Sequence, residues 1–263
     1  MHAAKVTPDQ IRAMKQRGEK IAALTTYDYP TTRLLDEAGL PLLLVGDSLG
    51  MVVLGMPDTT GVTLEMMEHH VRAAARACPR ALLAADLPAN TYETPDQAVQ
   101  SARRLMRAGA EAIKAEGGRA ILPQVRALIG AGIPYIGHIG MLPQSVHQEG
   151  GYHIKGRTED ERHCLLADAE ALAHAGAFAI VLELVSSPVA AEITRRLSIP
   201  TIGIGSGPHC DGQILVTHDL MGLLPWLHLR HAQPLAQLGR QIIETARQWQ
   251  QQIQARSTSA NVS

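Results

Sequence analysis

Acidic residues stand at the ends of several apolar runs, and this placement is the first chemical signal in the chain. Val45-Gly46-Asp47-Ser48 closes one run and Ala85-Asp86-Leu87-Pro88 another, while Ala179–Val185 carries Glu183. Lys114 and Glu116 are two apart within Glu111–Gly118, so they share one face of a strand. His138 sits within Ile133–Gly140. If these runs are parallel strands with converging ends, Asp47, Asp86, Glu116 and Glu183 enter one pocket beside Lys114 and His138. Like charges buried together are costly unless a cation neutralises them. Two Asp and one Glu form an oxygen donor set suited to a hard ion such as Mg²⁺. That ion keeps waters or binds through its substrate. The remaining Glu is then free to act as a base.

Each residue also has a plainer reading. Asp47 and Asp86 equally suit loop or helix caps. Lys114 and Glu116 suit a structural ion pair, and Glu183 a buried acid with a lysine partner. His138 fits a hydrogen-bonded core position as well as a substrate contact. His69 and His70 are adjacent on a helical segment, so one faces the core and one the surface. Cys210 follows the seventh run in a loop that could reach the pocket, but no neighbouring cation activates its thiol. Gly203, Gly205 and Gly207 suit either close backbone approach to a substrate or a tight turn.

The elements that must position these groups alternate regularly. Thr7 caps a first helix with Pro8 at its first position, over about Pro8 to Gln16. Strand-like runs follow at Ile21–Asp28, Pro41–Asp47, Ala81–Leu87, Glu111–Gly118, Ile133–Gly140, Ala179–Val185, Thr201–Gly207 and Ile214–Asp219. Helix-period segments separate most of them, and a last polar helix spans about Leu235 to Ala255. Strands buried on both faces and separated by helices imply parallel pairing. Eight such units imply a (βα)8 TIM barrel with an N-terminal helix. The rival, an open doubly wound sheet, lacks a GxGxxG after the first strand. The whole chain, 1–263, reads as one barrel domain, with a tail frayed over roughly 256–263.

The chain has 263 residues and a formal net charge of -1, so no basic footprint favours nucleic acid. Aromatics at 3% leave no base-stacking platform. No apolar run approaches the ~20 residues a membrane helix needs. The first residues contain no signal-peptide core, and three widely spaced Cys give no disulfide framework. Cytoplasmic location is the expectation.

Several blocks, in unbroken order over roughly residues 5 to 222, resemble the signature of the ketopantoate (3-methyl-2-oxobutanoate) hydroxymethyltransferase family. They are Val45-Gly46-Asp47-Ser48-Leu49-Gly50-Met51, Asp86-Leu87-Pro88, Lys114-Ala115-Glu116-Gly117-Gly118, Gly137-His138-Ile139-Gly140, Pro143-Gln144-Ser145-Val146, Gly150-Gly151-Tyr152, the Glu183 strand, and Gly203-Ile204-Gly205 with Asp211-Gly212-Gln213. The resemblance implies a barrel of the phosphoenolpyruvate/pyruvate type, assembled as a homodecamer. It implies hydroxymethyl transfer from 5,10-methylenetetrahydrofolate to 3-methyl-2-oxobutanoate through a Mg²⁺-stabilised enolate, in pantothenate and coenzyme A biosynthesis. Asp47, Asp86 and Glu116 match its ligands for one Mg²⁺ per subunit. Asp47, Ser48, Asp86 and Lys114 match its oxoacid contacts, His138 lies among them, and Glu183 matches its proton acceptor. The chain departs from the pattern at Ala89, where the family has Phe, and after Gly222. The competing expectations are a Mg²⁺-dependent oxoacid lyase or aldolase on the same barrel, a transferase for a related branched oxoacid, and a non-catalytic barrel that binds a small acid.

Overall fold

The computed structural model describes residues 4–226 and 233–260. The chain divides into two compact units, Met1–Leu215 and Val216–Ser263, where the sequence suggests one domain. The first unit is the barrel. Helix α1 (Pro8–Gln16) starts as expected, with Thr7 and Gln10 forming a capping box. Then follow β1 (Ile21–Thr25), α2 (Tyr29–Glu37), β2 (Leu42–Val45), α3 (Leu49–Val52), α4 (Leu64–Ala75), β3 (Leu82–Asp86) and α5 (Pro95–Ala108). Next are β4 (Ala112–Glu116), α6 (Leu122–Gly130), β5 (Tyr135–Gly140), α7 (Glu159–Ala175), β6 (Ala179–Glu183), α8 (Ser187–Arg196), β7 (Thr201–Ile204) and β8 (Gly212–Leu215).

The eight strands close in sequence order, β8 pairing back to β1, and every pair is parallel. Side chains alternate along a strand, so every second residue points inward. Leu42, Leu44, Leu82, Ala84, Ala112, Ile136, Ala179, Val181, Ile202 and Ile214 fill the interior as one cluster. Their neighbours Leu43, Leu83, Ile113 and Ile180 are buried under the outer helices. Burial on both faces is why the strands read as continuous apolar runs. At the N-terminal end of the strands, Ile11 of α1 joins the cluster. Lys15 donates there to the Thr194 and Ile199 carbonyls and, at 2.9 Å, to Asp211.

Some boundaries differ from the sequence reading. β1 stops at Thr25 because Asp28 caps α2, its side chain accepting from the Thr31 N–H. Asp47 lies in the turn beyond β2 rather than within the strand. β8 begins at Gly212, which pairs with Ile21, and gives way by Thr217 to a short helix, α9 (Thr217–Leu220). β7 connects to β8 without a helix. That short link carries Cys210 to the N-terminal end of the barrel, away from the carboxylates. Lys20 there donates to its carbonyl, and the thiol is buried.

In the second unit, Leu235 and Leu238 donate backbone hydrogen bonds to Leu220 and Met221. Helix α10 (Leu238–Ala260) starts three residues later than expected, and 261–263 lie outside the described residues. Among the described residues no helix is long and apolar enough to cross a membrane.

Candidate active site

The alternation that fills the interior also builds the site. Asp86 continues the inward column of Leu82 and Ala84, and Lys114 and Glu116 that of Ala112. His138 follows Ile136, and Glu183 follows Ala179 and Val181. Registers set them side by side, Asp86 against Lys114 and Glu116 against His138. The expected residues therefore meet at the C-terminal end of the barrel.

Lys114 is the hub. Its ammonium lies 2.6 Å from Asp86 Oδ1 and 3.4 Å from His138 Nδ1. Burial alone would lower Lys114, but Asp86, Glu116 and Asp47 outweigh it and hold the group above its ordinary value. An ammonium group only donates, so His138 Nδ1 accepts and Nε2 bears the proton. Nε2 faces Glu183 Oε2 at 3.2 Å, close but poorly aligned for a hydrogen bond. Burial and then Lys114 lower His138, which keeps the ring neutral. His138 thus bridges Lys114 and Glu183.

The carboxylates outnumber the cations. Asp47, Asp86 and Glu116 are all buried, with Lys114 the ammonium among them. Burial, then Asp86 beside it, pushes Asp47 up to about 7. Burial and then Asp47 hold Glu116 well above the usual carboxylate range. Glu183 is different, its side chain 18% exposed where Glu116 is 3%. One carboxylate thus faces the mouth while three are sunk behind it.

The backbone around Glu183 is fixed on both sides. Its carbonyl accepts from Met141 N–H at 2.8 Å. Leu184 takes the left-handed region at φ 48, unusual for a branched side chain. Lys155 N–H donates to the Leu184 carbonyl, Leu184 N–H to Ile204, and Val185 N–H to Ser206 Oγ. Gly140 at φ 105 lets β5 lie against the Glu183 carbonyl.

Ser48 Oγ is 2.8 Å from the Tyr27 hydroxyl, and His70 Nδ1 donates to the Tyr27 carbonyl at 2.7 Å. His69 is exposed and His70 half-buried, matching the expected split. Tyr27, His70, Tyr92 and Gln144 belong to the site although the sequence did not single them out as site residues. The one available signal was the Pro143-Gln144-Ser145-Val146 block. Gln144 Nε2 donates to Asp47 Oδ2 at 2.7 Å and to the Leu87 carbonyl at 2.9 Å. Its backbone N–H donates to Glu116 Oε2 at 3.0 Å, and its Oε1 accepts from Tyr92 at 2.5 Å.

Among the described residues no three His, Cys, Asp or Glu side chains form a ready-made metal cage. Asp47, Asp86 and Glu116 are nonetheless hard oxygen donors with excess negative charge. This set fits an ion that takes one or two carboxylates directly and completes its shell with waters and substrate oxygens, the habit of Mg²⁺.

A sequence model of ketopantoate hydroxymethyltransferase matches residues 5–260. The 3-methyl-2-oxobutanoate hydroxymethyltransferase of Moorella thermoacetica is 47% identical over 252 residues, 95% of this chain and 94% of that protein. The Chloroflexus aurantiacus protein of the same name is 51% identical, covering 93% and 87%. Among solved structures, 2,3-dimethylmalate lyase, of the PEP mutase/isocitrate lyase superfamily, aligns with a TM-score of 0.61 and 18% identity over 93% of this chain and 86% of that one. Phosphonopyruvate hydrolase in complex with oxalate and Mg²⁺ aligns with a TM-score of 0.62 and 15% identity, covering 81% of each chain. At such identities the likeness shows the fold alone, a (βα)8 TIM barrel.

Proposed function

The chain belongs to the ketopantoate hydroxymethyltransferase family, and from that premise we propose that it transfers a hydroxymethyl group from 5,10-methylenetetrahydrofolate to 3-methyl-2-oxobutanoate, giving 2-dehydropantoate. The observation that carries this reading is the division of carboxylates, one at the mouth and three buried around a lysine.

Lys114 offers a fixed positive charge to the anionic oxoacid, and Ser48 a hydroxyl. Asp47, Asp86 and Glu116 would hold Mg²⁺, one per subunit, which when bound polarises the keto group and offsets negative charge. Glu183 takes the proton from the carbon next to the keto group. The neutral Nε2–H of His138 faces the Glu183 carboxylate that accepts this proton. Lys114 faces the charge that develops on the keto oxygen. The deprotonated carbon forms the new bond to the folate-borne methylene, whose two C–N bonds break; water supplies the hydroxyl oxygen and one proton, and tetrahydrofolate leaves with that proton and the one Glu183 took, one on each freed nitrogen. The same reading places the enzyme in the cytoplasm, in pantothenate and coenzyme A biosynthesis, as a homodecamer.

Proton NMR in D₂O with Mg²⁺, 3-methyl-2-oxobutanoate and methylenetetrahydrofolate tests it. New hydroxymethyl signals are expected. Exchange of the substrate proton without product would leave enolisation standing and remove the folate half. Neither change, in folded protein, would refute the oxoacid assignment.

A further inference from the structure

We propose that Gln144 is a positioning residue that sets the carboxylates of Asp47 and Glu116 as a cation-binding pair, with Tyr92 holding its amide in register. The proposal rests on the hard-cation reading above and assigns a role to a residue outside the ligand set.

Gln144 arrives from outside the strands, on the 3-10 turn Pro143–Ser145 that follows β5. It nevertheless ties together groups from three barrel segments. Its backbone N–H holds Glu116 Oε2, and its side-chain amide holds Asp47 Oδ2 and the Leu87 carbonyl. These bonds engage one oxygen of each carboxylate. They leave Asp47 Oδ1 and Glu116 Oε1 as the oxygens available to a cation.

The amide orientation is determined by its surroundings. Nε2 faces two acceptors, a carboxylate and a carbonyl, so a flipped amide would set oxygen against oxygen. Oε1 faces the Tyr92 hydroxyl at 2.5 Å. Tyr92 also lies 3.3 Å from the Glu116 carbonyl, a longer contact, so its single proton goes to Gln144. Burial, then the Glu116 charge, raises the phenol above its ordinary value, and it stays a donor.

The residue type matters as much as the geometry. A lysine or arginine in this place would neutralise Asp47 and compete with a metal ion. A glutamine amide is a neutral donor, so it orients the carboxylate and leaves the full charge for the cation. Partners of this kind behind a ligand are worth about 10–100-fold in metal affinity.

The test is a Mn²⁺ titration of the intact protein, read by the electron paramagnetic resonance signal of free Mn²⁺. Gln144→Met keeps the length and removes the side-chain hydrogen bonds, and Tyr92→Phe removes the hydroxyl alone. Gln144→Met is expected to raise the Mn²⁺ Kd by about 10–100-fold. Tyr92→Phe should shift it in the same direction by a smaller factor. In assays, the shift should fall on the apparent KM for metal more than on kcat at saturating Mg²⁺. An unchanged Mn²⁺ Kd in folded Gln144→Met would overturn the proposal and leave the cation reading intact. If Gln144→Met does not fold, the Tyr92→Phe titration decides in the same way. Absence of Mn²⁺ binding by the unaltered protein, with and without 3-methyl-2-oxobutanoate, would overturn the cation reading and this proposal together.

Discussion

Replacing Gly140 by Ala is the sharpest test of how the base is held. Gly140 ends β5 at φ 105, and a Cβ there would lie 2.2 Å from the Glu183 carbonyl oxygen and 2.7 Å from Val185 Cγ2. Carbon contacts become comfortable only near ~3.5 Å, so the ends of β5 and β6 must separate by about 1 Å. That separation weakens the 2.8 Å hydrogen bond from Met141 to the Glu183 carbonyl. The positive φ costs Ala about 1–2 kcal/mol and the overpacking about 1–3 kcal/mol, together about 2–5 kcal/mol. For a unit of this size, Tm should fall by about 5–20 °C. A 1 Å displacement of a catalytic group costs about 100-fold in rate. Deuterium exchange at the substrate carbon and product formation should therefore fall by about the same factor, because both need Glu183. Gly132→Ala is the control, since its φ of 75 is also positive but nothing lies within 4 Å of the added methyl. It should lose stability alone. If Gly140→Ala kept full kcat, or matched Gly132→Ala in both readouts, the reasoning that this contact aims the base would be wrong.

Three further outcomes follow from the site. Glu183→Gln should abolish turnover and deuterium exchange while Mn²⁺ binding stays within a few-fold; retained exchange would remove Glu183 from the base role. Lys114→Met leaves Asp86 buried without its ion-pair partner and should destabilise the metal-free protein by about 3–5 kcal/mol. Thermal unfolding should show Mg²⁺ recovering part of that loss, and an unchanged Tm would refute the charge accounting. The third concerns pH. Asp47 is raised from 3.8 to about 7, so the folded chain binds this proton more tightly than the unfolded chain. Its contribution to metal-free stability should therefore rise as pH falls from about 7 toward 4, and be absent above 7. Metal binding must release the proton, so Mg²⁺ affinity should weaken by up to about tenfold per unit below pH 7. Isothermal titration at two pH values measures both the affinity and the proton release, and a flat profile would contradict the raised Asp47.

The sequence by itself determined the barrel and most of the chemistry. Apolar runs of strand length, separated by helices, can be buried on both faces only in a parallel sheet. The two-residue period then aims Asp86, Lys114, Glu116, His138 and Glu183 inward, because each continues a column of interior side chains. Caps such as Thr7 were legible for the same reason, being local chemistry between residues three apart. What needs long-range placement was not legible. Gln144 and Asp47 are 97 residues apart, and no local pattern says that a turn after β5 reaches across to β2. Tyr27, His70 and Tyr92 act through backbone carbonyls or hydroxyls, which leave no mark on composition or period. By sequence alone the loop that holds Cys210 is free to reach the pocket, but pairing of Gly212 with Ile21 starts β8 at the opposite end and carries it away. The left-handed Leu184 and its clamps exist only once β5, β6 and β7 lie side by side. Periodicity decides which face a side chain takes, whereas its final aim, partners and charge state depend on neighbours that only the closed barrel supplies.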